Sequence, residues 1–373
     1  MPPISLLIKP ASGNCNLRCK YCFYYDVINN REVKNYGIMS EETLEEIVKK
    51  AFDYVDGFIT FAFQGGEPTL ASLDFFKKLI ELQKKYNIKN VKINNALQTN
   101  GININDEWAQ FFHDNNFLIG LSLDGYKDIH NYYRINVKGD GSFNRVLKTS
   151  KLFDKYDVQY NILCVINKHV ARHGTKVYNF YKREGYKFLQ FIPCLDELGE
   201  EPGQNPYSLT PEDYEIFLKT IFDLWYQDFM NGDGISIRMF DNIIQMILGY
   251  PPESCDMNGY CSANAIIEAD GSIYPCDFYV LDEWKLGNIM ETSIEQAIKS
   301  ERAKEFIKES LNTDPKCREC EYYRICRGGC RRHKEPKIDG AYNENYFCST
   351  YKGFYKYTLP RFVEVARKIK SNH

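Results

Sequence analysis

The sequence predicts an α/β fold: a sheet of parallel strands joined by crossover helices, followed by a metal-binding region. Two observations carry this. From Ile4 to Met230 short β-rich apolar runs alternate with longer amphipathic stretches, and eleven of the thirteen cysteines gather in two regions around a cysteine-poor middle. Six strand–helix alternations in series imply parallel pairing, because adjacent antiparallel strands need only a short turn whereas parallel ones need a crossover.

The expected strands are Ile4–Lys9, Ile59–Phe63, Val91–Leu97, Leu118–Leu123, Gln159–Ile166 and Phe188–Ile192. The expected helices are Glu41–Tyr54, Leu73–Tyr86, Asp106–Asn115, Phe143–Tyr156, Lys176–Glu184 and Pro211–Met230. Ser40, Ser142 and Thr210 stand where an N-cap side chain would bind the free N–H groups of a first turn, and Gly185 offers a left-handed stop after Glu184. Ile235–Leu248 leads into the cysteine-rich region, Asp270-Gly271 reads as a tight turn into a short strand, and Phe354–Lys370 as a closing helix. Parallel sheets hold their ligands at the C-terminal ends of the strands. Cys15–Cys22 and Gly65-Gly66-Glu67-Pro68 both follow a strand directly, so both fall at that edge.

Hydrophobic residues make up 44% and charged residues 26% of the 373, an ordinary globular balance. The net charge is −3, from 47 basic and 50 acidic side chains, and no basic tract points to nucleic acid or an anionic membrane. The N-terminal apolar run is too short for a signal segment and has no basic residues before it, and no stretch reaches transmembrane length, so a cytoplasmic protein is expected. In a reducing cytoplasm clustered cysteines bind metal or do redox chemistry rather than pair as disulfides.

Cys15-x3-Cys19-x2-Cys22 is the most specific motif. Three thiolates can hold three irons of a [4Fe–4S] cube and leave the fourth open to a small molecule that chelates through amine and carboxylate. Half of a zinc site would use the same residues. Tyr21 between the last two cysteines and Phe23 after them carry a resemblance to the radical S-adenosyl-L-methionine (SAM) superfamily. That resemblance implies a partial (β/α)6 TIM-like barrel in which Cys15, Cys19 and Cys22 bind the SAM cluster. It further implies that Tyr21, Gly65, Gly66, Glu67, Ser122, Arg134 and Leu195 contact SAM: the Gly-Gly-Glu loop its amino group, Ser122 its ribose or carboxylate, Arg134 its carboxylate, and Leu195 its adenine.

Eight cysteines lie from Cys255 to Cys348, enough for two fully ligated four-iron clusters or for a pair of zinc ribbons. Cys261-x9-Gly271-x4-Cys276 and Cys317-x2-Cys320-x5-Cys326-x3-Cys330 resemble the SPASM extension of peptide-modifying radical SAM enzymes. By that resemblance Cys255, Cys261, Cys276 and Cys330 hold one auxiliary cluster, and Cys317, Cys320, Cys326 and Cys348 hold the other. The corresponding domains are 1–234 for the barrel, 235–348 for linker and SPASM region, and 349–373 for the last helix. Cys164 and Cys194 read as packing residues, and His169 with His173 as a helix start rather than a metal face.

Across nearly the whole chain the resemblance is to anaerobic sulfatase-maturating enzymes, through Ser5-Leu6-Leu7-Ile8-Lys9-Pro10-Ala11-Ser12, Phe63-Gln64-Gly65-Gly66-Glu67-Pro68, Gln98-Thr99-Asn100-Gly101 and Tyr274-Pro275-Cys276-Asp277-Phe278-Tyr279. It implies oxidation of a Cys or Ser in a nascent sulfatase to Cα-formylglycine (3-oxoalanine). It also implies three [4Fe–4S] clusters, SAM, and an electron donor such as flavodoxin or ferredoxin. Asp277, adjacent to the ligand Cys276, is the expected proton acceptor, with Tyr24 and Gln64 as candidate substrate contacts. Asp196, Glu197, Glu200 and Glu201 form an acidic loop that could attract a basic residue of the target. Two other readings share these residues: a radical SAM maturase that crosslinks a ribosomally made peptide, and a zinc-binding interaction module.

Overall fold

The computed structural model describes residues 3–338, 340 and 342–371. The chain begins β1 (Ile4–Ile8), α1 (Phe23–Asn29), α2 (Glu41–Tyr54), β2 (Phe58–Phe63), α3 (Leu73–Tyr86), β3 (Lys92–Thr99), α4 (Asp106–Asp114) and β4 (Phe117–Ser122). Then come α5 (Lys127–Tyr133), α6 (Phe143–Lys155), β5 (Tyr160–Ile166), α7 (Lys168–Ala171), α8 (Gly174–Glu184), β6 (Phe188–Pro193), α9 (Pro211–Met230), β7 (Ser236–Ile237) and α10 (Arg238–Ile247). The remainder holds β8 (Ala265–Ile267), β9 (Ser272–Tyr274), β10 (Gly287–Asn288), α11 (Ile294–Ile298), α12 (Glu301–Ser310), α13 (Pro315–Arg318), α14 (Tyr323–Cys326) and α15 (Cys348–Ser371). These elements form two compact units, Met1–Ser122 with Arg134–Tyr160 and Ser262–Ile307, and Leu123–Tyr133 with Asn161–Cys261 and Lys308–His373.

In the first unit β1 to β4 pair in parallel, with Ile8 opposite Phe63 and Thr99 opposite Leu121. The C-terminal ends of these strands therefore lie along one edge. On the far side of β1, β8 adds in parallel with Leu6 opposite Ala265, and β9 and β10 follow antiparallel. Apolar side chains that bury one face give the strands their place: Leu6, Ile8, Phe61, Phe63, Leu97, Ile119 and Leu121 are at most 1% exposed. Phe76 of α3 closes over them, 5.0 Å from Phe63 and 5.5 Å from Trp108 of α4 between ring centroids. Ser40 caps α2 by accepting from Thr43 N at 3.1 Å, as expected. Ser142 does not cap α6; its hydroxyl donates to the Arg134 carbonyl at 2.8 Å, which ties the loop before the helix instead.

In the second unit β5, β6 and β7 are parallel, and α8 ends at Gly185 with φ of +82°. Helices α9, α10 and α15 bury a shared aromatic cluster in which Phe362 lies 4.6 Å from Phe222 and Trp225 lies 5.2 Å from Phe240. Thr210 caps α9 by accepting from Asp213 N. The last helix begins at Cys348, six residues before the expected Phe354, and continues through Pro360. Its first turns read Cys-Ser-Thr-Tyr-Lys-Gly, a weak helix sequence. Tertiary contact overrides that weakness: the Thr350 hydroxyl donates to the Pro211 carbonyl at 2.7 Å, and Gly353 leaves room for the Glu215 carboxylate. Among the described residues no helix is long and apolar enough to cross a membrane.

Candidate functional site

The first unit delivers three cysteines just past β1. Cys15 Sγ accepts from Leu17 N at 3.4 Å and faces Asn100 Nδ2 at 3.7 Å, so two N–H donors are already turned on the sulfur. Asn100 is itself held by Asn16 at 2.7 Å. Burial pushes the Cys15 thiol up to about 11, with the Glu67 carboxylate adding to the rise. Such a sulfur becomes a thiolate only when a cation takes the proton's place. Cys22 closes the loop, its N–H bound to the Cys19 carbonyl at 3.2 Å, and stands as N-cap of α1.

The loop after β2 is fixed by Glu67, whose carboxylate is buried. Its Oε1 accepts from Thr69 N, Thr69 Oγ1 and Thr99 Oγ1 at 3.1, 2.7 and 2.8 Å, and Oε2 accepts from Asn100 N at 2.8 Å. Oε2 thus keeps acceptor capacity for a further donor such as an ammonium. Thr99 and Asn100 lie in the Gln98–Gly101 motif, but nothing in the sequence pointed to their holding Glu67. Ser122 ends β4, and the Arg134 guanidinium stands 5.6 Å from the centre of the Tyr21 ring, both side chains nearly buried.

Asp277 lies in the same unit, directly after Cys276 and at the start of a 3-10 turn. Its Oδ1 meets the Lys9 ammonium and its Oδ2 accepts from Gln64 Nε2 at 2.8 Å. Lys9 is fully buried at the end of β1, with its Nζ 4.0 Å from the Tyr24 ring centre. The Tyr24 hydroxyl donates to Glu268 Oε1, which also accepts from Arg31 at 3.0 Å. Burial, then the Glu268 charge, pushes the Tyr24 phenol well above its ordinary value. Of the candidate substrate contacts, Gln64 therefore touches Asp277, and Tyr24 presents its ring to Lys9. Sequence reasoning missed Lys9, Glu268 and Arg31, whose partners lie hundreds of positions away.

In the second unit Leu195 follows β6, and its carbonyl accepts from Cys194 Sγ. Cys194 and Cys164 are buried in the core. His169 and His173 occupy the α7–α8 corner, where His173 Nδ1 and the His169 carbonyl are 2.8 Å apart. Asp196 is taken up locally by Ser208, by Gly203 N at 3.0 Å and by Asn205, while Glu197, Glu200 and Glu201 are exposed. Cys255, Cys261 and Cys330 come together closely enough that, after burial, the first two raise the Cys330 thiol further. Cys261 N is fixed by Ser310 Oγ at 2.8 Å.

Cys317, Cys320, Cys326 and Cys348 line one pocket, walled by Tyr322, Tyr351 and Tyr355. Burial pushes the Cys326 thiol up to about 11 and the Cys348 thiol up to about 12. Among the described residues no three His, Cys, Asp or Glu side chains are drawn close enough to share a single ion. Four thiols around one pocket are a donor set that fits a cube of four irons and four sulfides, one sulfur to each iron.

Comparison with known proteins adds the following. Residues 10–173 match the radical SAM superfamily, and residues 255–321 match the SPASM iron–sulfur cluster-binding domain. The chain is 50% identical to the cysteine-type anaerobic sulfatase-maturating enzyme of Clostridium novyi, over 99% of each protein. It is 32% identical to the serine-type enzyme of Bacteroides thetaiotaomicron, over 96% of this chain and 90% of that one. A solved structure of native anSMEcpe with bound AdoMet and Cp18Cys peptide matches with a TM-score of 0.95 and 51% identity, over 99% of this chain and all of that one.

Proposed function

The chain belongs to the anaerobic sulfatase-maturating enzymes of the radical SAM superfamily, and from that premise we propose that the residue it oxidises is a cysteine, with Asp277 as proton acceptor. It is a radical SAM oxidoreductase that converts a sulfatase side chain to Cα-formylglycine, using SAM and iron–sulfur clusters. The observation that supports cysteine over serine is the gap in likeness: 50% identity to a cysteine-type enzyme against 32% to a serine-type one.

When bound, SAM would supply the 5′-deoxyadenosyl radical that removes a Cβ hydrogen, and the auxiliary clusters would accept the electron that leaves. Cys15, Cys19 and Cys22 hold the first cluster; Cys255, Cys261, Cys276 and Cys330 hold the second; Cys317, Cys320, Cys326 and Cys348 hold the third. Gly65, Gly66, Glu67, Tyr21, Ser122, Arg134 and Leu195 hold SAM. Asp277 takes the proton of the target thiol as the Cβ=S bond forms, and water then exchanges sulfur for oxygen and releases hydrogen sulfide. Its carboxylate suits that task, because both oxygens are already oriented by donors and one lone pair on each remains for the incoming proton. The polypeptide is taken unfolded or nascent in the cytoplasm, and flavodoxin or ferredoxin supplies the electron that cleaves SAM.

The test is anaerobic incubation with SAM, reductant and two sulfatase-motif peptides that differ only in Cys or Ser at the target. Mass spectrometry is expected to show aldehyde from the Cys peptide at a kcat/KM at least tenfold above the Ser peptide. Turnover of the Ser peptide alone would overturn the cysteine reading. A crosslink in place of an aldehyde would favour the peptide-crosslinking alternative.

A further inference from the structure

We infer that Lys9 is a positioning residue for the proton acceptor, an inference that rests on the assignment of Asp277 to that role. The carboxylate is gripped at both oxygens, Oδ1 by the Lys9 ammonium and Oδ2 by the Gln64 amide. One donor on each oxygen sets the plane of the group as well as its place. Lys9 is itself immobilised on every side. Its N–H is bound to the Ile267 carbonyl at 2.8 Å, and a methyl group on Gly65 would stand 2.7 Å from its Cγ. The Tyr24 ring roofs the ammonium at 4.0 Å, a cation–π contact between two buried side chains. That ring cannot swing away, because its hydroxyl is bound to Glu268, and Glu268 to Arg31.

A lysine with no exposure is a poor investment for stability alone, since desolvation offsets most of what its ion pair returns. An apolar side chain of the same length would pack in its place. What the ammonium adds is geometry. A proton acceptor works only within hydrogen-bond reach of the proton it takes, and a misplacement of about 1 Å costs on the order of a hundredfold in rate. Asp277 sits on a short 3-10 turn of three residues, which by itself orients a side chain loosely. The clamp from β1 and the β2 loop supplies what the turn lacks.

A double-substitution cycle in the iron-loaded enzyme tests this, with 5′-deoxyadenosine, aldehyde, peptide KM and iron read on the same preparations. Asp277→Asn is expected to keep forming 5′-deoxyadenosine while aldehyde falls on the order of a hundredfold or more. Near-normal aldehyde in that variant overturns the assignment of Asp277 itself. Lys9→Met keeps length and removes the charge; it should leave peptide KM unchanged and lower aldehyde per 5′-deoxyadenosine by roughly ten- to a hundredfold. Added to Asp277→Asn, it should lower that ratio no further, because Lys9 reaches the reaction only through the carboxylate. The double variant should also retain more iron than Asp277→Asn alone, in which a buried ammonium is left without its partner. Additive losses, or an unchanged ratio in Lys9→Met beside an impaired Asp277→Asn, overturn the positioning role and leave the base in place. If Lys9→Met holds little iron, Lys9→Gln returns an N–H donor near the same point. Recovery of the ratio there supports the clamp, and a ratio as low as that of Lys9→Met overturns it.

Discussion

At Gly66 an added methyl group would stand 2.1 Å from the Asn14 carbonyl oxygen and 2.7 Å from that of Ser12, and φ is already +54°. Both obstacles are backbone, one of them next to Cys15, so neither can step aside. Gly66→Ala should therefore shift the loop against the three-cysteine turn and store roughly 1–3 kcal/mol of strain. SAM affinity, measured by anaerobic equilibrium dialysis, is expected to fall at least tenfold, with 5′-deoxyadenosine falling alongside. Unchanged affinity would mean that SAM does not depend on this loop. The glycine pair was legible in the sequence as a close-approach turn. Lys9 was not. A lysine ending an apolar run reads as the point where a strand reaches solvent, and only the partner 268 positions later shows otherwise.

Among the elements, α2, α3 and α9 were legible to the residue, because Ser40 and Thr210 bind their first turns and apolar positions recur at helical spacing. Strand β8 was not legible. Its three residues, Ala265–Ile267, are all buried, so they show no alternation, and pairing with β1 spans most of the chain. The start of α15 was hidden for the opposite reason, a weak local sequence rescued by contact with α9. That contact makes a prediction about iron. Phe362, fully buried 4.6 Å from Phe222, anchors the helix whose first residue is Cys348. Phe362→Ala should cost about 3–5 kcal/mol. Anaerobic denaturation should show the loss, and iron content should drop although no ligand has changed. A variant with wild-type stability would show that α15 is held by its cluster and not by its aromatic face.

For the whole molecule, three clusters of equal size make iron a count of which sites survive. Cys15, Cys19 and Cys22 belong to the first unit, and the cavity of Cys317, Cys320, Cys326 and Cys348 to the second, so each set can be removed within one unit. The two removals should differ in kind. Replacing Cys15, Cys19 and Cys22 by Ala should lose about a third of the iron and abolish 5′-deoxyadenosine, since only a cluster with three protein ligands has an iron free to bind SAM. Replacing Cys317, Cys320 and Cys326 by Ala should also lose about a third of the iron yet leave SAM cleavage running, because in the proposed assignment that cluster is fully ligated and takes no part in binding SAM. Aldehyde should fall in the second variant while 5′-deoxyadenosine persists, the pattern of a reaction that starts but cannot discharge its electron. Loss of SAM cleavage in the second variant, with the first unit's iron still present by Mössbauer spectroscopy, would refute this division of labour. It would make the cluster of Cys317, Cys320, Cys326 and Cys348 part of the path by which the reducing electron enters.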